Sequence, residues 1–275
     1  MILINGRRTE LISVFDRGFQ YGDGVFTTIK ISRGRALFLD RHLQRLQRDS
    51  AQLGIAFPDC ALLIGEAIAL AEQQETGVLK IILTRGAGGR GYRYDSHANT
   101  TRVLSTHSMP KYSECYATDG IVARVCKTRL GHNPSLAGAK HLNRLENIIA
   151  RQEWDEEFQE GLVLDQDDFL IEGTMSNVFV KMEDRLVTPR LDRCGVNGVM
   201  RETLLDIAGL HEIPIEDCRI SSTQLMSADE IFLTNSIIGI WPVRTLEGRR
   251  LSSIDTGKFF AREVEALASV SGGNS

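Results

Sequence analysis

A lysine set among small residues is equipped for carbonyl chemistry, and Lys140 is set in that way. It lies in Leu130-Gly-His-Asn-Pro-Ser-Leu-Ala-Gly-Ala-Lys140-His-Leu-Asn-Arg-Leu-Glu-Asn147. Pro134 and the small residues before the lysine predict irregular backbone. Gly138 and the alanines beside it leave room for a bulky group next to the amine. Leu142, Leu145, Ile148 and Ile149 then recur at helical spacing, which predicts a helix over 142–158. Burial makes an amine give up its proton more readily, and a neutral amine attacks carbonyl carbon. A lysine in a loop can equally be a solvated surface residue, so a second group is needed. Glu172 is the candidate, in Ile171-Glu172-Gly-Thr-Met-Ser-Asn177-Val-Phe-Val, where a carboxylate precedes small polar residues and an apolar, β-rich run. Alone, it could be a solvated carboxylate at a strand end.

A lysine and an acid together are what pyridoxal phosphate chemistry asks of a protein. The lysine binds the aldehyde, and the acid keeps the pyridine nitrogen protonated so that the ring accepts electrons. Three further segments carry a resemblance: Gln20-Tyr-Gly-Asp-Gly-Val-Phe-Thr-Thr28, Thr84-Arg-Gly-Ala-Gly-Gly-Arg-Gly-Tyr92, and Arg129 through Glu146 around the lysine. With these segments, and with the lysine before the glutamate, the chain resembles the fold-type IV pyridoxal phosphate enzymes. That family holds branched-chain aminotransferases, D-amino-acid aminotransferases and 4-amino-4-deoxychorismate lyases, and the three segments resemble the lyases most closely.

The resemblance implies an α+β, two-domain architecture. A small α/β N-terminal domain would cover residues 1–110, and a larger cofactor-binding domain, mixed and β-barrel-like with helices, would cover 119–275. The polar, turn-rich stretch 111–118 would link them. It implies pyridoxal 5'-phosphate as cofactor, a small-molecule substrate and a homodimer. The implied activity converts 4-amino-4-deoxychorismate to 4-aminobenzoate and pyruvate in folate biosynthesis; the rival is transamination of D-amino or branched-chain amino acids. The implied site has Lys140 on the aldehyde and Glu172 on the ring nitrogen. Arg45, from the H-x-x-R pattern begun by His42, goes to the phosphate, as do the backbone amides of Val196 and Asn197. Asn235 and Ser236 stand where the aminotransferases carry a Gly-Thr-like pair. Arg85 and Arg90 are the candidates for substrate carboxylates.

Several elements must position these groups. Ile2 to Ile4 and the Asn5-Gly6 pair predict a hairpin. A strand over Val25–Ile31 is expected from its β-branched and aromatic content. A helix should start at Asp40, capped by that carboxylate, with Leu43, Leu46 and Leu53 on one face. By spacing alone, Arg41, Arg45 and Arg48 could equally be a solvated basic face. The glycine-rich loop 85–92 lacks a Walker ending and a Rossmann acidic partner. It reads either as a mobile loop offering Arg85, Arg90 and Tyr92 to an anion, or as a plain connection. Gly195 and Gly198 flank a turn before a helix over 199–208, a natural phosphate site to which Arg201 could add charge. Asp165, Asp167 and Asp168 read as turn residues rather than a calcium loop. His132 and His141 lack further ligands for a metal, and His97 and His107 read as structural or exposed.

Composition bounds the rest. The chain has 275 residues, is 42% hydrophobic and 25% charged, and carries a net charge of -4 with a pI near 5.9. That suits one or two globular domains and gives no reason to expect nucleic acid. The apolar run at the N-terminus is too short for a signal peptide, and no stretch reaches the ~20 residues that span a bilayer. Five scattered cysteines without a Cys-x-x-Cys pair read as free thiols in a reducing cytoplasm. The 271–275 tail is expected to be disordered.

Overall fold

The computed structural model describes residues 1–95 and 99–270; His97 and the 271–275 tail lie outside the described residues. The chain divides into two compact units. One holds residues 1–110 together with 139–143, and the other holds 111–138 and 144–270.

The first unit is built on a six-stranded antiparallel sheet. Its strands are β1 (Ile2–Ile4), β2 (Arg7–Arg8), β3 (Gly24–Ser32), β4 (Arg35–Ala36), β5 (Thr76–Thr84) and β6 (Thr101–His107), in the order β2-β1-β6-β5-β3-β4. The predicted hairpin is present, with Asn5 and Gly6 at φ 50° and 77°, the left-handed pair that a tight two-residue turn needs. Along β3, alternate residues are buried, Val25, Thr27, Ile29 and Ile31 among them, which is the period of a strand with one covered face. Helix α1 (Arg17–Tyr21) precedes β3, while α2 (Leu39–Gln52) and α3 (Cys60–Ala71) pack on the sheet. Leu43 and Leu46 of α2 and Leu63, Ala67 and Leu70 of α3 fill the core with Ile29, Leu79, Ile81 and Leu104. The helix cap differs from expectation. Phe38, at φ 55°, is the N-cap of α2 and no side chain caps it, while Asp40 is the second helical residue. There its charge still complements the helix dipole.

The second unit carries a nine-stranded mixed sheet. Its elements are α4 (Cys115–Thr118), β7 (Ile121–Leu130), α5 (Leu145–Arg151), β8 (Glu160–Asp165), β9 (Leu170–Gly173), β10 (Asn177–Met182), β11 (Arg185–Pro189), α6 (Val199–Leu210), β12 (Ile215–Cys218), α7 (Ser222–Ser227), β13 (Glu230–Asn235), β14 (Gly239–Leu246), β15 (Arg249–Arg250) and α8 (Asp255–Val270). The order is β12-β11-β10-β13-β14-β7-β8-β9, with β15 added to β14. The β11–β12, β14–β7 and β7–β8 pairs are parallel and the others antiparallel. Every residue of β8 is buried, as a strand covered on both faces requires. One core runs through Val178, Val180, Ile231, Leu233 and Val243, and Phe179 stacks on Phe232, which stacks on Phe260. The stretch 111–118 contains a short helix rather than irregular chain throughout.

The helix expected over 142–158 covers only Leu145–Arg151. Two pulls shorten it. Leu142 donates its N–H to the Gly24 carbonyl at the start of β3, so its amide is not free for a helix. At the other end, Glu153 accepts from the amides of Lys127 and Thr128 and from the Thr128 hydroxyl, at 2.7 Å each. Those amides lie where β7 slips register against β8, so the carboxylate serves donors that the ladder leaves open. Asp165 acts in a similar way. Its Oδ1 accepts from the Asp167 and Phe169 amides, and Oδ2 lies 3.0 Å from His132 Nε2. Burial pushes the Cys126 and Cys194 thiols up to about 12, so both are inert.

Candidate active site

In the first unit the lysine segment is extended backbone laid along the start of β3. Phe26 N–H donates to the Lys140 carbonyl at 3.0 Å, and Val25 and His141 form a bridge. Lys140 N–H donates to Asp49 Oδ2 at 3.0 Å. The Lys140 Nζ lies 4.6 Å from the centroid of the Phe26 ring, an electrostatically favourable seat for a cation. Gly24 makes the approach possible: a Cβ there would lie 2.6 Å from the Leu83 carbonyl oxygen and 2.7 Å from Leu142.

Arg45 is buried and shares Asp49 with the lysine segment. Its Nη2 donates to Thr27 Oγ1 at 2.7 Å, and its Nε lies 3.8 Å from Asp49 Oδ2. Thr27 Oγ1 is also 2.7 Å from His42 Nδ1. Thr27 Oγ1 thus links the Arg45 guanidinium to the His42 ring. Burial, and then the charges of Arg45 and Lys140, hold His42 well below its usual 6.5. The folded imidazole therefore stays neutral below pH 6.5, whereas the unfolded one takes up a proton. Stability must fall as pH drops below 6.5, by up to about 1.4 kcal/mol per pH unit from this group. Melting the protein from about pH 7.5 to about pH 5.5 should show that slope, and His42→Gln should flatten it. Parallel slopes for the two proteins would contradict the assignment.

Arg85, expected on a substrate carboxylate, is engaged within the first unit. Its Nε and Nη2 donate to Asp23 at 2.8 and 3.0 Å, Nη2 also reaches the Leu53 carbonyl, and Nη1 reaches the Gly54 carbonyl. Those bonds engage four of its five N–H groups. Burial pushes the Asp23 carboxyl up, but Arg85 and Arg17 outweigh it and hold Asp23 below its ordinary value. Arg17 also donates to the carbonyls of Gly91 and Tyr92, so the glycine loop is tethered. Arg90 and Tyr92 are exposed.

The second unit holds Glu172, 3% exposed. Val196 N–H donates to its Oε2 at 2.8 Å, and Asn147 Nδ2 donates to its Oε1 at 3.3 Å. Asn197 N–H goes to the Gly138 carbonyl at 2.9 Å, and Gly138 N–H returns to Gly195. The amides of Val196 and Asn197 are therefore paired within the protein. Gly198 is the N-cap of α6 and no side chain caps this end; a helix start of this kind suits an anion. Gly198 is required there, since a Cβ would lie 2.1 Å from Asn177 Oδ1. The glycine before an apolar helix start is the available signal in the sequence. The Arg201 guanidinium is engaged by Thr188, Pro189, Asn197 and Asp217, so it braces this turn rather than adding free charge. Asn235 closes its own turn by accepting from the Ile237 and Ile238 amides and donating to the Met175 carbonyl, with Ser236 half-buried beside it.

Glu172, Val196 and Asn197 thus come together with Gly138, and the chain reaches Lys140 two residues later. The chain has known relatives. The chain is 35% identical to an aminodeoxychorismate lyase of Vibrio harveyi, over 88% of this chain and 90% of that one. It is 28% identical to a D-alanine aminotransferase of Bacillus licheniformis, over 92% and 90%. Among solved structures, a 4-amino-4-deoxychorismate lyase from Pseudomonas aeruginosa superposes with a TM-score of 0.93 at 40% identity, covering 97% of this chain and 98% of that one. The fold is thus that of fold-type IV. The amino-transferase class IV model matches residues 24–246, a span that contains both the lysine segment and Glu172, and the chain belongs to that family.

Proposed function

We propose that the protein is a pyridoxal phosphate-dependent lyase that converts 4-amino-4-deoxychorismate to 4-aminobenzoate and pyruvate. The observation that carries this is Glu172, a buried carboxylate whose two oxygens each accept an N–H, one of them from Val196, which bridges to Gly138 two residues before Lys140. The likeness to lyases at 35% and 40% identity favours elimination over transamination.

The residues present fit the cofactor. Lys140 supplies an amine for the aldehyde. The uncapped turn of α6 and the Arg45 guanidinium suit a phosphate dianion. Glu172 suits a protonated ring nitrogen. When bound, pyridoxal phosphate supplies an electron-accepting ring to the substrate carbon that bears the amine. Lys140 removes the proton from that carbon as general base. The C–O bond to the enolpyruvyl group breaks, the substrate ring becomes aromatic, and Lys140 returns a proton to the departing group, which leaves as pyruvate. Glu172 keeps the charge at the ring nitrogen fixed throughout, and Arg90 meets a substrate carboxylate.

On the same basis, residues 1–110 are the small domain, 119–275 the cofactor-binding domain, and 111–118 their link. The active protein is a homodimer in a reducing cytoplasm. Leu145, Ile148 and Ile149 are 70%, 51% and 53% exposed on α5, and Leu11, Phe15 and Phe19 of the other unit are 83%, 62% and 70% exposed. Apolar groupings of this kind call for a covering surface. Among the described residues, no helix is long and apolar enough to cross a membrane.

Purified protein given 4-amino-4-deoxychorismate should release 4-aminobenzoate and pyruvate in equal amounts with no amino acceptor present. Loss of the yellow colour with alanine, glutamate or leucine, without pyruvate release from the chorismate compound, would make it an aminotransferase instead.

A further inference from the structure

Helix α5 reverses the usual arrangement of a surface helix. Its apolar residues Leu145, Ile148 and Ile149 face outward, while the polar Asn147 turns inward and is half-buried. Asparagine is a poor helix former, so its amide must serve a contact. That amide has two N–H groups on Nδ2. One donates to the Thr174 carbonyl at 3.2 Å, the other to Glu172 Oε1 at 3.3 Å.

The first of those acceptors is itself held rigidly. Glu160, 1% exposed, accepts from the amides of Gly161, Thr174 and Met175 at 3.0, 3.1 and 3.2 Å, and from the hydroxyls of Thr174 and Ser176. Gly173 N–H closes the same turn on the Ser176 carbonyl at 2.7 Å. A buried carboxylate with five donors fixes the 173–176 turn, the turn fixes the Thr174 carbonyl, and that carbonyl fixes the orientation of the Asn147 amide. The remaining N–H is then aimed at Glu172 and cannot rotate away without breaking its other bond.

We infer that Asn147 is the positioning residue for Glu172. Together with the Val196 amide it sets the plane of the Glu172 carboxylate, one N–H on each oxygen, so that the carboxylate meets its ligand already oriented. This rests on the pyridoxal phosphate role given to Glu172 above. Preorganised orientation raises affinity and turnover because the carboxylate need not be ordered at the moment of binding. Losing a hydrogen bond to a charged group is worth about a factor of ten.

The test uses the full-length protein stripped of cofactor and titrated with pyridoxal phosphate, followed by quenching of Trp154 and Trp241 fluorescence and by visible absorption. Asn147→Leu should weaken cofactor binding about tenfold and lower kcat by a similar factor, with KM changed by less than about twofold. Asn147→Gln, which keeps the donors, should recover most of both. Wild-type affinity and kcat in the leucine variant would overturn the inference. Equal impairment of the leucine and glutamine variants would also overturn it, since packing rather than donation would then be at stake. A wild-type protein that takes up no pyridoxal phosphate would overturn the proposed function, and this inference with it.

Discussion

Replacing Lys140 with alanine should leave a folded protein with no covalently fixable cofactor and with turnover reduced on the order of 10⁴-fold or more. Folding is expected to survive because the contacts that hold this segment in place are made by its backbone. The Lys140 N–H binds Asp49 and its carbonyl receives Phe26 N–H, and alanine keeps both. What is lost is the amine near the Phe26 ring. That amine has two roles in the proposed reaction, binding the aldehyde and moving the proton; the other primary amine at the Phe26 ring, Lys80 Nζ at 5.3 Å, is carried by β5. Mass spectrometry after borohydride reduction measures the binding role. Wild type should gain the mass of one reduced cofactor on the peptide containing residue 140, and the variant should gain none. Release of 4-aminobenzoate measures the proton-moving role. A variant that still fixes cofactor, or that turns over normally, would transfer the chemistry to another residue.

Glu172→Gln should separate binding from catalysis. The glutamine carbonyl can still accept from the Val196 amide, which now lies 2.8 Å from Oε2, so the fold of β9 and covalent loading at Lys140 should remain, with reversible cofactor affinity lowered about tenfold, as for Asn147→Leu. A neutral amide cannot stabilise a positive charge on the ring nitrogen, however, and its NH₂ would face Asn147 Nδ2, another donor. Turnover should fall about 10²- to 10³-fold with little change in KM, the signature of an interaction needed more in the transition state than before it. Single-turnover assays on cofactor-loaded protein read this directly. Unchanged turnover would remove Glu172 from the electronic role.

Much of this is legible in the residues, and the exceptions share a cause. The Asn5-Gly6 hairpin, the β3 strand and the helix after Gly198 follow from local preference, and the structure contains each. Lys140 and Glu172 stand out only as a pair, through the resemblance their segments carry; alone, each reads as a solvated residue. Where the structure departs, a distant partner decides. Helical spacing predicts that Leu142 starts a helix, but its amide goes to the Gly24 carbonyl at the start of β3. Arg85 reads as available for a ligand because Asp23, 62 positions away, is invisible to spacing. Val196 and Asn197 read as phosphate donors, yet Glu172 and Gly138 claim their amides. A donor's partner is a tertiary fact, and the sequence names only the donor. Asn147 escapes a reading of the sequence for the same reason: nothing in a helix start distinguishes an inward amide from a solvated one.

The five residues 139–143 belong to the first compact unit although the second unit surrounds them in the sequence. Translation therefore cannot finish the N-terminal half when its own last strand emerges. The backbone of Gly24 and Phe26 waits for Leu142 and Lys140, so the ribosome must first make the opening strand of the other half. A fragment ended at residue 110 would be missing the reactive amine as well as the strand that covers this edge, and the two halves cannot be exchanged between relatives as independent cassettes.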